Sequence, residues 1–77
     1  MNKARRKWLE DILNRLEDIK DELESVSNEE QEAFDNLPEG IQCSERGEVI
    51  EENASDIDEA VRDIDDIMVS LQDIIDR

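Results

Sequence analysis

Histidine and tyrosine are absent from this chain, and cysteine, proline, tryptophan and phenylalanine occur once each. Without histidine, neither a Ser-His-Asp nor a Cys-His nucleophile can be assembled, and the imidazole that most metal centres use is missing. A single thiol, Cys43, cannot close an intrachain disulfide, so the fold needs no oxidising compartment. With no imidazole to activate it, Cys43 reads as a free loop thiol. Two glycines, Gly40 and Gly47, are too few for a loop that cradles phosphates. No apolar run approaches the roughly 18 residues of a membrane span, and none follows the basic start, so no secretory leader is expected. The expectations are a cytoplasmic protein, no cofactor, no metal and no enzymatic activity.

What the chain has in excess is negative charge. Lysine and arginine number 9 against 24 aspartates and glutamates, a net charge of −15 in 77 residues. The charge is uneven. Residues 1–7 carry Lys3, Arg5, Arg6 and Lys7 and no acid, a net +4; residues 8–77 carry 5 bases and 24 acids, a net −19. Such a surface repels nucleic acid and anionic membrane and attracts basic protein surfaces, including grooves that hold DNA or RNA. The basic start is expected beside the acidic C-terminal end, either neutralising Asp73 and Asp76 or serving as a dedicated anion or partner site.

High charge with few aromatics also suits a disordered tail, but a disordered tail has no hydrophobic period. Here Leu9, Ile12, Leu16, Ile19, Leu23 and Val26 step by three and four, and so do Ile50, Ala54, Ile57, Val61, Ile64, Met68, Leu71 and Ile75. Both are heptad stripes of the coiled-coil kind. Between them, Pro38 disfavours helix at Leu37 and Gly40 loosens the backbone. Ser44 reads as an N-cap, with Glu45 and Glu48 where acids suit the helix dipole. The fold class expected is all-α: one domain over 1–77, an antiparallel two-helix hairpin with helix 1 over about 3–35, a loop over 36–44 and helix 2 over about 45–76. Each helix would be close to 50 Å long at about 1.5 Å per residue. A short connection makes them antiparallel neighbours, pairing positions whose numbers sum to about 83: Ile12 with Leu71, Ile19 with Ile64, Leu23 with Val61, Val26 with Ile57, and Glu30 with Ala54.

A second apolar strip lies beside this seam: Trp8 on helix 1 with Ala60, Ile67 and Ile74 on helix 2, and Leu13 on the other flank of helix 1. Two helices cannot cover so wide a face, which implies self-association, most simply as a homodimeric four-helix bundle. Helix 2 also spends aspartate where glutamate makes a better helix, at up to about 0.7 kcal/mol each relative to alanine. Glu51, Asp56, Asp58, Glu59, Asp63, Asp65, Asp66 and Asp73 form the expected acidic target-binding face. Short side chains hold charge near the backbone, and neighbours three or four apart lie about 5–6 Å from each other, comparable to phosphate spacing on a strand. The acid pairs lack the glycine turn of a calcium loop, and a slim hairpin has no cleft to raise one carboxylate's pKa as glycosidases do.

Ala33-Phe34-Asp35-Asn36-Leu37-Pro38-Glu39, then Ser44-Glu45-Arg46-Gly47-Glu48 and an acidic heptad helix, resemble short acidic helical-hairpin proteins of bacteriophages, prophages and Gram-positive bacteria. In size, charge and origin these are similar to phage-encoded anti-CRISPR and anti-restriction inhibitors, some of which mimic DNA. The resemblance implies an inhibitor working in the cytoplasm of a bacterial host. Its partner would be a basic nucleic-acid-binding protein such as a CRISPR effector or another defence nuclease, with no direct contact to nucleic acid or membrane. It carries over no functional residue. Two other readings stand beside it: a structural or adaptor coiled coil working through the apolar strip, and a nucleotide-signal sponge that gathers Arg5, Arg6 and Lys7 across an oligomer.

Overall fold

Asn2 starts the first helix by accepting the Arg5 backbone N–H on its side-chain oxygen at 2.8 Å, which satisfies one of the orphan donors of a helix start. From there α1 runs unbroken over Lys3–Asp35, a stretch rich in glutamate, leucine, lysine and arginine with neither glycine nor proline to interrupt it. It stops where Pro38 constrains Leu37; the Asn36 and Leu37 amides close the last turn on the carbonyls of Glu32 and Phe34. The computed structural model describes all residues 1–77.

The connection is not a plain loop. Residues Glu39–Gln42 form a one-turn helix, α2, so the chain has three helices where a two-helix hairpin was expected. Pro38 opens this turn, where its missing N–H costs nothing, and its carbonyl accepts the amides of Ile41 and Gln42 at 2.8 and 3.0 Å. Gly40 sits inside the turn, without the positive φ that would require glycine. The Gln42 side-chain amide donates to the carbonyls of Phe34 and Asp35 at 3.1 and 3.4 Å, satisfying carbonyls at the end of α1. Ser44 caps α3, Glu45–Ile75, by accepting the Gly47 amide, with Glu45 and Glu48 in the first turn, as its sequence predicted.

The molecule is a rod with extents of 59 × 15 × 12 Å. Along it, α1 and α3 meet in reverse order: Lys20 with Asp65, Ser27 with Asp58, Glu30 with Asn53. The paired numbers sum to between 83 and 85, close to the expected register. The core is thin. Ala54, Val61 and Ile75 are its buried apolar residues, Ser27 and Gly47 are buried with them, and no side chain is fully enclosed.

The α3 stripe is as expected, but α1 is rotated relative to its apparent stripe. Ile19 and Val26 are 47% and 45% exposed, while Lys20 is half-buried and Ser27 is 4% exposed. The line of α1 that faces α3 is therefore Leu9, Leu13, Leu16, Lys20, Leu23, Ser27, Glu30 and Phe34. On a helix of 3.6 residues per turn, positions 12 and 13 straddle the line from 9 to 16 equally well, so the period alone does not choose between them. In the observed rotation Lys20 reaches Asp65 at 2.9 Å and Ser27 reaches Asp58 at 2.6 Å. Ser27, not Glu30, lies on Ala54, its hydroxyl oxygen 3.2 Å from the Ala54 carbonyl oxygen; Glu30 instead accepts from Asn53 at 3.4 Å.

Candidate functional site

The rotation of α1 leaves a line of apolar side chains outside the seam. Ile12, Ile19 and Val26 repeat every seven residues on α1, Ile12 half-buried and the other two exposed, and Ala60, Ile67 and Ile74 do the same on α3, with Ile74 half-buried. Val26, Ile57 and Ala60 line one groove between the helices together with Glu30, Asn53 and Asp56, which puts the two lines on the same side of the rod. Toward the open end, Met1, Arg5, Trp8, Leu9 and Ile12 line an apolar recess. Trp8 is 64% exposed and Ile67 51%. On α3, three apolar positions in each heptad from Ala54 to Ile74, rather than two, are the pattern of a helix that packs on more than one neighbour. Of the strip expected from sequence, Trp8, Ala60, Ile67 and Ile74 belong to this side. Leu13 lies on the other, in a groove with Glu17, Asp65, Met68 and Val69. Sequence reasoning missed Ile12, Ile19 and Val26 because it had spent them on the seam.

The opposite side of the rod carries acids around a groove that also holds Leu13, Met68 and the 61%-exposed Val69. Glu17 of α1 and Asp65 of α3 line the same groove. Each belongs to a doublet of adjacent acids that recurs at the heptad interval: Glu10-Asp11 and Glu17-Asp18 on α1, and Glu51-Glu52, Asp58-Glu59 and Asp65-Asp66 on α3. The repeat is about 10 Å along the axis. Glu10, Asp11, Glu17 and Asp18 were not expected to take part; their seven-residue repeat was there to be found, had the same test been applied to helix 1.

The eight acids expected on the target-binding face do not share one surface. With about 100° of turn per residue, Glu51, Asp58 and Asp65 form one row, and Glu59, Asp66 and Asp73 a second row beside it. Asp56 and Asp63 point toward the apolar side, and Asp56 lines the Val26 groove. Two of the eight are also committed within the fold: Asp58 accepts from Ser27, and Asp65 accepts from Lys20. The hydrogen bond from Lys20 to Asp65, reinforced by their opposite charges, raises the lysine pKa above its ordinary value.

Lys20–Asp65 is the one ion pair in the molecule. Lys3, Arg5, Arg6 and Lys7 pair with neither Asp73 nor Asp76, so the expected neutralisation of the C-terminal end by direct contact does not occur. The Arg6 Nε is buried without a hydrogen-bond partner, and Lys3, Arg6, Lys7 and Glu10 line an open hollow with Met1. Four cations in the first turns of a helix also oppose its dipole, which favours acids there.

No three cysteine, aspartate or glutamate side chains converge as a metal site, and no helix is long and apolar enough to cross a membrane. No protein-family model matches the chain, and no curated protein or solved structure is significantly similar to it.

Proposed function

We propose that this chain is a non-enzymatic binding protein whose acidic side occupies a basic, nucleic-acid-binding groove on a target protein, while its apolar side joins two copies in a four-helix bundle. The observation that carries the reading is the placement of the exposed Trp8, Ile19, Val26 and Ile67 on one side of a thin rod and of the doublets containing Glu17 and Asp65 on the other. Over residues 10–18 of α1 and 51–66 of α3 the acid doublets supply about one charge per 5 Å of helix, against about one per 3.4 Å along each strand of duplex DNA. Carboxylates on rigid helices engage lysine and arginine without the ordering cost of a flexible acidic tail. An inhibitor of a nuclease or CRISPR effector, of the phage-encoded kind that the sequence resembles, is the biological role this fits.

The test is competition. A labelled DNA duplex bound to a CRISPR effector, and in parallel to an unrelated basic nuclease, is titrated with the chain while fluorescence polarisation is followed. The wild type displaces the duplex from its target, with an affinity that falls steeply with salt. A variant with Glu51, Glu59, Asp66 and Asp73 changed to lysine loses displacement; these four make no hydrogen bond or ion pair that the fold needs. Displacement undiminished by the four changes would sink the reading.

The exposed Ile19, Val26, Trp8 and Ile67 favour a second reading, an adaptor that works through its apolar side. In that case Ile67→Gln abolishes target capture while the four acid reversals leave it intact.

A further inference from the structure

We infer that the second copy packs end over end, so that the basic open end of each rod lies on the acidic connection end of the other. This rests on the dimeric reading above and specifies its geometry.

The two ends of the rod differ in charge. The open end, residues 1–10 and 70–77, holds five bases (Lys3, Arg5, Arg6, Lys7, Arg77) and three acids (Glu10, Asp73, Asp76), a net +2. The connection end, residues 29–52, holds nine acids and Arg46, a net −8; the middle, 11–28 and 53–69, holds twelve acids and three bases, a net −9. Two rods joined by their apolar sides have two symmetric arrangements. Side by side with like ends together, the arrangement sets −8 against −8 and +2 against +2. End over end sets +2 against −8 twice. The middle meets the middle either way, so the ends decide.

Three further features agree. The open-end cations make no ion pair within the protomer, one of them has a buried nitrogen without a partner, and they sit where the helix dipole disfavours them. They cost the isolated protomer stability, and an acidic surface from another copy compensates. The apolar line of α1 also matches itself when reversed. With the two-fold axis at Ile19, Ile12 of one copy faces Val26 of the other and Ile19 faces Ile19. Trp8 then reaches the level of Glu30, at the end of the groove lined by Val26, Ile57 and Ala60, and brings Arg5 and the other cations over the Glu29–Asp35 segment.

Cys43, the sole thiol and exposed, reports the geometry without any mutation. Sedimentation equilibrium first establishes the dimer, and a nitroxide on Cys43 then gives the intradimer distance by pulsed electron paramagnetic resonance. End over end, the two labels lie on the order of 60 Å apart, the sum of their offsets from the axis at about 1.5 Å per residue. Like ends together would put them within roughly 20 Å, about two helix diameters. The double variant Lys3→Glu/Lys7→Glu, which suits the α1 dipole and so leaves the fold intact, weakens dimerisation about tenfold at low salt. A dimer with a short label distance, or one indifferent to the two charge changes, overturns the orientation alone. A monomer at high protein concentration overturns the dimer as well.

Discussion

Ser27 of α1 donates its hydroxyl to the Asp58 carboxylate of α3 at 2.6 Å, from a position only 4% exposed directly over Ala54. This contact fixes how α1 is turned on α3. It places a small polar residue in the seam, where the heptad pattern offers Val26, and so moves a whole line of isoleucine and valine to the surface. The working surfaces of the protein follow from that rotation.

The closeness of Ser27 to Ala54 leaves no space for a larger side chain. Ala54, itself 3% exposed, tolerates leucine poorly: Ala54→Leu lowers unfolding stability by about 1–3 kcal/mol, read as a reduced urea midpoint by circular dichroism. A leucine accepted at no cost would mean that the helices do not meet in this rotation.

The two glycines respond in opposite ways. A methyl group on Gly47 would collide with the carbonyl oxygen of Gln42 and come within 2.6 Å of that of Ile41. Both are backbone atoms and cannot swing aside, so Gly47→Ala destabilises the connection end by about 1–3 kcal/mol. At Gly40 the same methyl group meets nothing within 4 Å, in a helical turn without positive φ. Gly40→Ala therefore stabilises by about 0.4–1 kcal/mol, through the reduced freedom of the unfolded chain. Thermal melts of the two variants should move apart from the wild type in opposite directions.

Trp8 is the only tryptophan and is 64% exposed in the protomer, so its fluorescence reads assembly. Its emission shifts to the blue as protein concentration rises through the dimerisation range. Ile19→Gln/Ile67→Gln removes that shift and keeps the helical circular dichroism, because both residues lie outside the intramolecular seam. Loss of helicity in the double variant would instead return these residues to the core.

The Lys20–Asp65 pair gives a pH dependence on the alkaline side. The lysine pKa is raised in the folded protein by its hydrogen bond to Asp65. A raised pKa means that the folded state holds the proton more tightly than the unfolded state does. The contribution is complete below the ordinary lysine value and is lost as pH climbs through the raised one. The stability difference between wild type and Lys20→Met accordingly shrinks as pH is taken above the ordinary lysine range. With no tyrosine in the chain, no phenolate titrates over the same interval. A difference that stays constant there would show that the pair contributes nothing through its charge.

Much of the fold was legible because its cause is local. Asn36-Leu37-Pro38 ends one helix and Ser44 starts another through backbone geometry and capping, which act within a few residues. The seven-residue recurrence from Ile50 to Ile75 names the buried line of α3 because the partner helix meets it squarely. The one-turn helix over Glu39–Gln42 was not legible: Pro38 and Gly40 read as loop signals, but proline opens a helix as readily as it ends one. Nor was the need for glycine at position 47, which arises from an approach of the Gln42 backbone that no periodicity encodes. In the candidate site, Trp8, Ala60, Ile67 and Ile74 were visible as surplus apolar residues, whereas Ile12, Ile19 and Val26 were hidden by an equally plausible place in the seam.

The sequence by itself determined that the chain would be helical, reversed once near residue 40, strongly acidic beyond residue 7 and apolar at more positions than two helices can bury. Periodicity, capping and charge are properties of single segments and need no partner to be read. Only the tertiary structure decided which of two adjacent lines on α1 faces α3, because a 3.6-residue turn lets either do so. That choice depends on Lys20 finding Asp65 and Ser27 finding Asp58 across the interface. It also separated the acids: Asp58 and Asp65 became partners within the fold, Asp56 and Asp63 turned toward the apolar side, and the remaining doublets were left free along the opposite one.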